Sequence, residues 1–417
     1  MPVILRARIV LPVTQPPLEN GAVVVTDNRI TAIGPWPQLA STAQGETVDL
    51  GETILLPGLV NAHCHLDYTD MAGQIPPAKS FTDWIKALVA FKATWSYADF
   101  AQSWLHGAKM LLRTGTTTVA DVEAVPELLP EVWEATPLRL ISFLELLHVK
   151  SQFTPKQLVD AAVARLSALP PGRKRVGLSP HAPYSTSPEL LQQAVAAAAR
   201  RHWRLTTHVA ESEEEFEMFM YRHGPLFDWL KTQRDMSDCG HGSPLKHLAE
   251  LGYLSPYLLA VHVNHLWRHD AALLGHAKTP VVHCPRSHAY FRHLVFPREE
   301  LAAAGVSLCL GTDSLVSTRK TRQLPLELNM FAEMQSFAGA APELAPFAIL
   351  QMATINGARA LGLQKLVGEL ARNAWADLIA VPFAGNVSQV YDAAVHHQGN
   401  VAASMIDGHW AIAPGAT

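Results

Sequence analysis

His63 and His65, separated by one residue in NAHCHLD, are the clearest chemical signal in the chain. At the end of a β-strand, residues i and i+2 project to the same face, so two imidazoles there can share one metal ion. A second run, Thr207-His208-Val209-Ala210-Glu211, offers a third imidazole. Glu211, three residues beyond His208, is placed where a carboxylate could move protons to and from a metal-activated water. A third run ends in Gly311-Thr312-Asp313-Ser314. An aspartate after so apolar a segment needs a partner if buried, and a cation with neutral ligands is a suitable one. Three histidines and one aspartate suit a borderline-soft divalent ion, zinc first, with iron or manganese as alternatives, and leave a position open for water.

Each signal has a plainer alternative. Glu211 could simply open the helix suggested by ESEEEFEMF, where carboxylates favour the helix dipole, and Glu213, Glu214 and Glu215 read as its solvated first turn. Asp313 could cap the next helix. In VHVNHL, His262 and His265 compete for one catalytic role. On strand alternation His262 shares its face with Asn264, and His262 is the better candidate to stabilise the attacking water. His181 in SPHAPYS and His283 in HCPRSH could orient substrate or serve as structural histidines. Arg286 could contact substrate or pair with a nearby carboxylate.

The elements that would position these groups are legible from periodicity. Eight apolar runs, at 55–65, 116–122, 138–148, 175–185, 203–211, 258–266, 279–288 and 306–315, alternate with helical stretches such as SPELLQQAVAAAARR. Runs of this kind read as buried parallel strands, and eight strand–helix units imply a (β/α)8 TIM barrel. In such a barrel the strand ends converge on one mouth, which would gather Asp121 and His148 beside the residues named above. Both ends of the chain look different. Segments such as GAVVVTDNRITAIGP and VAASMIDGHWAI alternate apolar and polar residues. Asn20-Gly21 and Asp27-Asn28 suggest turns of an antiparallel sheet. The expected layout is a barrel over 59–365 carrying a small β-sandwich built from 1–58 and 366–417.

Composition narrows the function. The 417 residues are 48% hydrophobic and 17% charged, with a formal charge of −4. That balance gives no reason to expect nucleic acid or an anionic membrane as partner. No apolar run reaches bilayer length, and MPVILRARIVLPVTQPP does not read as a signal peptide. Cys64, Cys239, Cys284 and Cys309 lack CxxC spacing, so a reduced, cytoplasmic protein is expected. No nucleophile elbow, Walker loop or dinucleotide fingerprint competes with the metal reading.

Taken in order, PGLVNAHCHLD, TGTTTVADV, SPHAPYS, HVAE, VVHCPRS, GTDS and NGARALGL resemble the amidohydrolase superfamily across nearly the whole chain. Within it the chain is similar to the aminohydrolase branch, which includes adenosylhomocysteine/methylthioadenosine, guanine and aminodeoxyfutalosine deaminases and triazine chlorohydrolases. The resemblance implies His63, His65, His208 and Asp313 as metal ligands, Glu211 as proton shuttle and His262 as the group that polarises the nucleophile. With Trp84, the residues His181, His283 and Arg286 singled out above make up the candidate substrate contacts. The fourth run has no lysine of the kind that bridges two metals, which favours one metal ion. Phe81 to Trp84 resembles the aminodeoxyfutalosine deaminases, and ELLHVKSQF lacks arginines for an amino-acid carboxylate. The implied reaction is hydrolytic deamination of an aminopurine nucleoside, with guanine deamination or C–Cl or amide hydrolysis as alternatives. The implied partner is a small molecule, and since barrels of this kind often pair, a homodimer stays open.

Overall fold

The computed structural model describes residues 2–76, 78–170, 172, 174–321 and 326–415. Its centre is a sheet of eight strands that pair in chain order. They are Leu59–Cys64, Thr116–Glu123, Arg139–Leu146, Arg175–Pro180, Arg204–Val209, Leu258–His262, Val281–His283 and Leu308–Leu310. All neighbours are parallel, and helices cross over between them. The first and last strands close the ring through a parallel bridge between Cys64 and Asp313. Closure depends on Gly311, because a Cβ there would stand 2.7 Å from the His63 carbonyl oxygen and 2.9 Å from its Cβ. Asn61 fastens the same seam. Its side chain donates to Thr312 Oγ1 at 2.8 Å and accepts from the Thr312 amide at 3.1 Å. The result is the (β/α)8 barrel that the eight apolar runs imply.

Alternation along the strands fills the barrel. Val60, Ala62, Ala120, Val122, Ile141 and Phe143 belong to one buried cluster with Val261 and Val282. Parity also explains Asp121. Lying between Ala120 and Val122, it faces the surrounding helices, where it accepts from the Leu66 amide and Trp104 Nε1. It therefore steadies the turn after His65 instead of joining the mouth.

A second sheet draws its strands from both ends of the chain. Its order runs His409–Ile412, Ala403–Ile406, Leu378–Pro382, Thr53–Pro57, Val3–Val10, Leu18–Thr26, Arg29–Pro35, with Glu46–Asp49 also pairing to Val3–Val10. It folds over a core of its own that includes Leu5, Val23, Val25, Leu55, Leu378 and Met405. Ile9, Ile54, Leu56 and Ile379, from the same strands, join the large core around the barrel.

Three local expectations change. The run 55–65 divides at Gly58, whose amide donates to the Asp377 carbonyl and whose missing side chain leaves room for Thr117. The terminal sheet is not wholly antiparallel, since Val3–Val10 runs parallel to Glu46–Asp49 and Thr53–Pro57. Asp27 does turn a hairpin, but Asn20-Gly21 lies inside the strand Leu18–Thr26, with Gly21 close against Val10. Among the described residues no helix is long and apolar enough to cross a membrane. All four cysteines are unpaired and buried.

One buried ion pair joins the two sheets. Arg139, which opens the third barrel strand, meets Asp377 through Nε at 2.7 Å and Nη2 at 3.0 Å, and stacks over Trp375. Neither side chain is more than 2% exposed. Removing Asp377 strips a buried charge of its two-point partner and leaves Arg139 only the partly exposed Asp407, 3.3 Å from Nη2. Asp377→Ala is expected to destabilise the fold by about 3–5 kcal/mol in denaturant unfolding. Turnover per folded molecule should be unchanged, because the pair sits at the end of the strand remote from the mouth.

Candidate active site

His63 and His65 emerge where the first strand ends at Cys64 and gives way to the short helix Leu66–Met71. Their rings stand edge to face, with centroids 5.0 Å apart. His208 enters from the end of the fifth strand, its Nε2 3.3 Å from that of His65. Its other nitrogen, Nδ1, lies 2.8 Å from the His181 carbonyl. A carbonyl can only accept, so Nδ1 carries the proton and Nε2 is left with a free lone pair aimed inward.

Asp313 follows the eighth strand in a left-handed conformation, φ 54°. Its Oδ2 accepts from Ser287 Oγ at 2.7 Å and Ser317 Oγ at 2.9 Å. Those two bonds turn Oδ1 toward His63 Nε2 at 3.7 Å and His65 Nε2 at 3.8 Å. Ligand atoms of His63, His65 and His208 all lie within 4.8 Å of one another, as do those of His63, His262 and Asp313. Both ring nitrogens of His63 and Nδ1 of His65 are buried without a hydrogen-bond partner. Buried polar atoms are rarely left so, and a cation held among them would satisfy the inward-facing ones. The donor set therefore fits a metal ion.

His262 reaches the same place by a break in strand geometry. Leu259 and Val261 face the barrel interior, and simple alternation would turn residue 262 away. Instead His262 and Val263 take φ values of 74° and 52°. Such conformations are strained for side chains with a Cβ, most of all for β-branched valine, and they concentrate at functional sites. The His262 ring ends with Nε2 3.5 Å from Glu211 Oε1. The face-sharing expected between His262 and Asn264 does not occur. Asn264 instead donates to the Glu211 carbonyl and accepts from His288.

Burial dominates the electrostatics. It lowers the imidazoles' affinity for protons, taking His208 and His181 to about 3 and placing His65 and His262 well below the ordinary value. Neutral imidazoles are the form that binds metal. Burial, with Asp313 and Glu215 nearby, pushes the Glu211 carboxyl well above its usual range, the direction that lets a carboxyl hold a proton near neutral pH.

Above this floor opens a cavity of about 310 Å³. Trp84 and His181 line it, together with Tyr68, Lys92, Glu145 and Tyr184. His283 and Arg286 do not. His283 stacks on Phe296 with centroids 3.8 Å apart, and Arg286 bonds the Glu327 carbonyl while its amide donates to Glu333. His148 lies beyond the third strand. Glu145 is the acidic residue this strand contributes, and its inward parity with Ile141 and Phe143 was the available signal. The reading of Glu213, Glu214 and Glu215 as one solvated turn holds only for Glu213. Glu215 is fully buried and accepts from the Glu211 amide, and Glu214 accepts from Phe81 and Thr82.

A parallel barrel whose mouth gathers three histidines, an aspartate and a protonatable glutamate defines a metal-dependent hydrolase. The chain belongs to the amidohydrolase family, whose model matches residues 54–411. It is 32% identical over 386 residues to a 5-methylthioadenosine/S-adenosylhomocysteine deaminase of Syntrophobacter fumaroxidans, covering 88% of this chain and 80% of that one. A protein of the same name from Moorella thermoacetica is 30% identical, covering 89% and 83%. The fold matches the aminofutalosine deaminase of Helicobacter pylori in complex with methylthio-coformycin (TM-score 0.86, 21% identity, 98% and 100% covered). It also matches a zinc-bound adenosine deaminase from Xanthomonas campestris (TM-score 0.83, 23% identity, 98% and 92% covered).

Proposed function

We propose that this protein hydrolytically deaminates an adenosine-type nucleoside, using one divalent ion, zinc by preference, held by His63, His65, His208 and Asp313. The observation that carries this reading is the convergence of those four side chains, with Glu211 3.5 Å from His262, on the floor of a cavity whose walls are largely aromatic and aliphatic. A divalent ion bound there lowers the pKa of a water toward neutrality and so supplies a nucleophile at ordinary pH.

The protein's own groups do the rest. Glu211, its proton affinity raised by burial, passes a proton to the ring nitrogen beside the carbon under attack, and takes up the proton that the water gives. His262, neutral and fixed by its unusual backbone, hydrogen-bonds the attacking oxygen. Proton delivery to the departing amine then releases ammonia. Phe81, Trp84 and Tyr184 suit the flat faces of a nucleoside, and Leu88, Leu147 and Trp229 suit an apolar 5′ substituent. The names of the relatives, adenosine-type deaminases, support the same choice. Four unpaired buried thiols agree with the reducing cytoplasm. The barrel spans about 59–365 and the terminal sheet the two flanks.

Incubation with adenosine, 5′-methylthioadenosine, S-adenosylhomocysteine, aminodeoxyfutalosine and guanine tests the reading. Ammonia should appear from one or more of the adenine nucleosides. Ammonia from guanine alone, or hydrolysis of a halide or amide with no ammonia from any nucleoside, would replace it.

A further inference from the structure

The helix Phe81–Lys92 covers the cavity. Trp84, Ile85, Leu88, Val89 and Lys92 form one of its faces and line the cavity wall. The spacing of these residues is that of a single helical stripe. Yet only Phe81, Thr82 and Trp84 of its twelve residues are buried. A helix so sparsely packed needs fixing at its ends.

Its N-terminus is fixed by a residue far away in the chain. Glu214 accepts from the Phe81 amide at 2.8 Å, from the Thr82 amide at 3.0 Å, and from the Thr82 hydroxyl. These are charge-assisted bonds to amides that the helix itself cannot satisfy, and the carboxylate sits at the favourable end of the helix dipole. Ser80 caps the Asp83 amide as well. At the other end Lys92 donates to Tyr68, whose ring stacks on His65 with centroids 5.3 Å apart.

Glu214 belongs to the same turn as the catalytic carboxylate. Ser212 caps the helix Glu213–Tyr221, and Glu215 accepts from the Glu211 amide at 2.9 Å. Consecutive acids on this first helical turn therefore do different things. Glu215 holds the backbone of Glu211, and Glu214 holds the cover of the cavity.

We infer that Glu214 is a positioning residue, locking the cavity-covering helix Phe81–Lys92 onto the loop that carries Glu211. This rests on the reading of that cavity as the substrate site. The lock sets how closely Trp84, Leu88 and Lys92 approach a substrate whose reacting carbon lies over Glu211. Its loss acts on substrate binding more than on chemistry.

Glu214→Ala is the test, with Glu214→Gln and the exposed neighbour Glu213→Ala beside it. Glu214→Ala should raise KM about tenfold, with kcat within about threefold of wild type and metal content unchanged. Glu214→Gln should recover part of the KM, since its amide oxygen still accepts. Glu213→Ala should match wild type. Without substrate, hydrogen exchange at Phe81 and Thr82 should quicken in Glu214→Ala while the barrel strands keep their protection. Unchanged exchange at those two amides overturns the lock. A fall in kcat with KM unchanged overturns the positioning role. Wild-type protein silent on every nucleoside would overturn the proposed function, while the exchange measurement would still decide the lock.

Discussion

Glu211→Gln is expected to keep its full metal content and lose turnover by about 10²–10⁴-fold. The amide is nearly isosteric and leaves the four proposed ligands untouched, so metal analysis should read the same as wild type. What the substitution removes is the group that can both accept and return a proton. Glu211 is buried, faces His262 and has its backbone held by Glu215 and Asn264. Glu215 is already engaged with the Glu211 amide, and Asp313 is held by Ser287 and Ser317. Activity within a fewfold of wild type would remove Glu211 from its role.

His208→Ala should have the second large effect, and of a different kind. His208 is the one proposed ligand from the middle of the barrel, and its tautomer is set by the His181 carbonyl. Its removal leaves His63, His65 and Asp313, which lie together along the seam between the first and last strands. Purified His208→Ala should bind metal more than about 100-fold more weakly than wild type, because outer partners of ligands alone are worth 10–100-fold. Turnover should fall with occupancy and return partly at high added metal. Full metal content with full activity would show that the ion sits elsewhere.

Much of this site could be read from the chain before any coordinates. HCH, THVAE and GTDS stand at the ends of apolar runs, and a parallel barrel brings such ends to one mouth. What periodicity could not supply was direction. His283 ends a strand and Arg286 follows it, but one turns to Phe296 and the other to Glu333 and Glu327. Strand alternation places His262 on the wrong face, and only two successive left-handed residues bring it back. Glu213, Glu214 and Glu215 are the same residue three times over, so composition could not tell the solvated one from the two that hold the site. Lys92 meets Tyr68, and both share the cavity wall with Glu145, only because distant segments pack together, and no local pattern marks them as neighbours.

The most direct measurement is ammonia release from 5′-methylthioadenosine, or whichever adenine nucleoside proves best, as metal-free protein is titrated with zinc. The account predicts no release from the metal-free protein, a rise in proportion to added metal, and a plateau at about one equivalent per chain. A plateau at two equivalents, or release that ignores the metal, would contradict it.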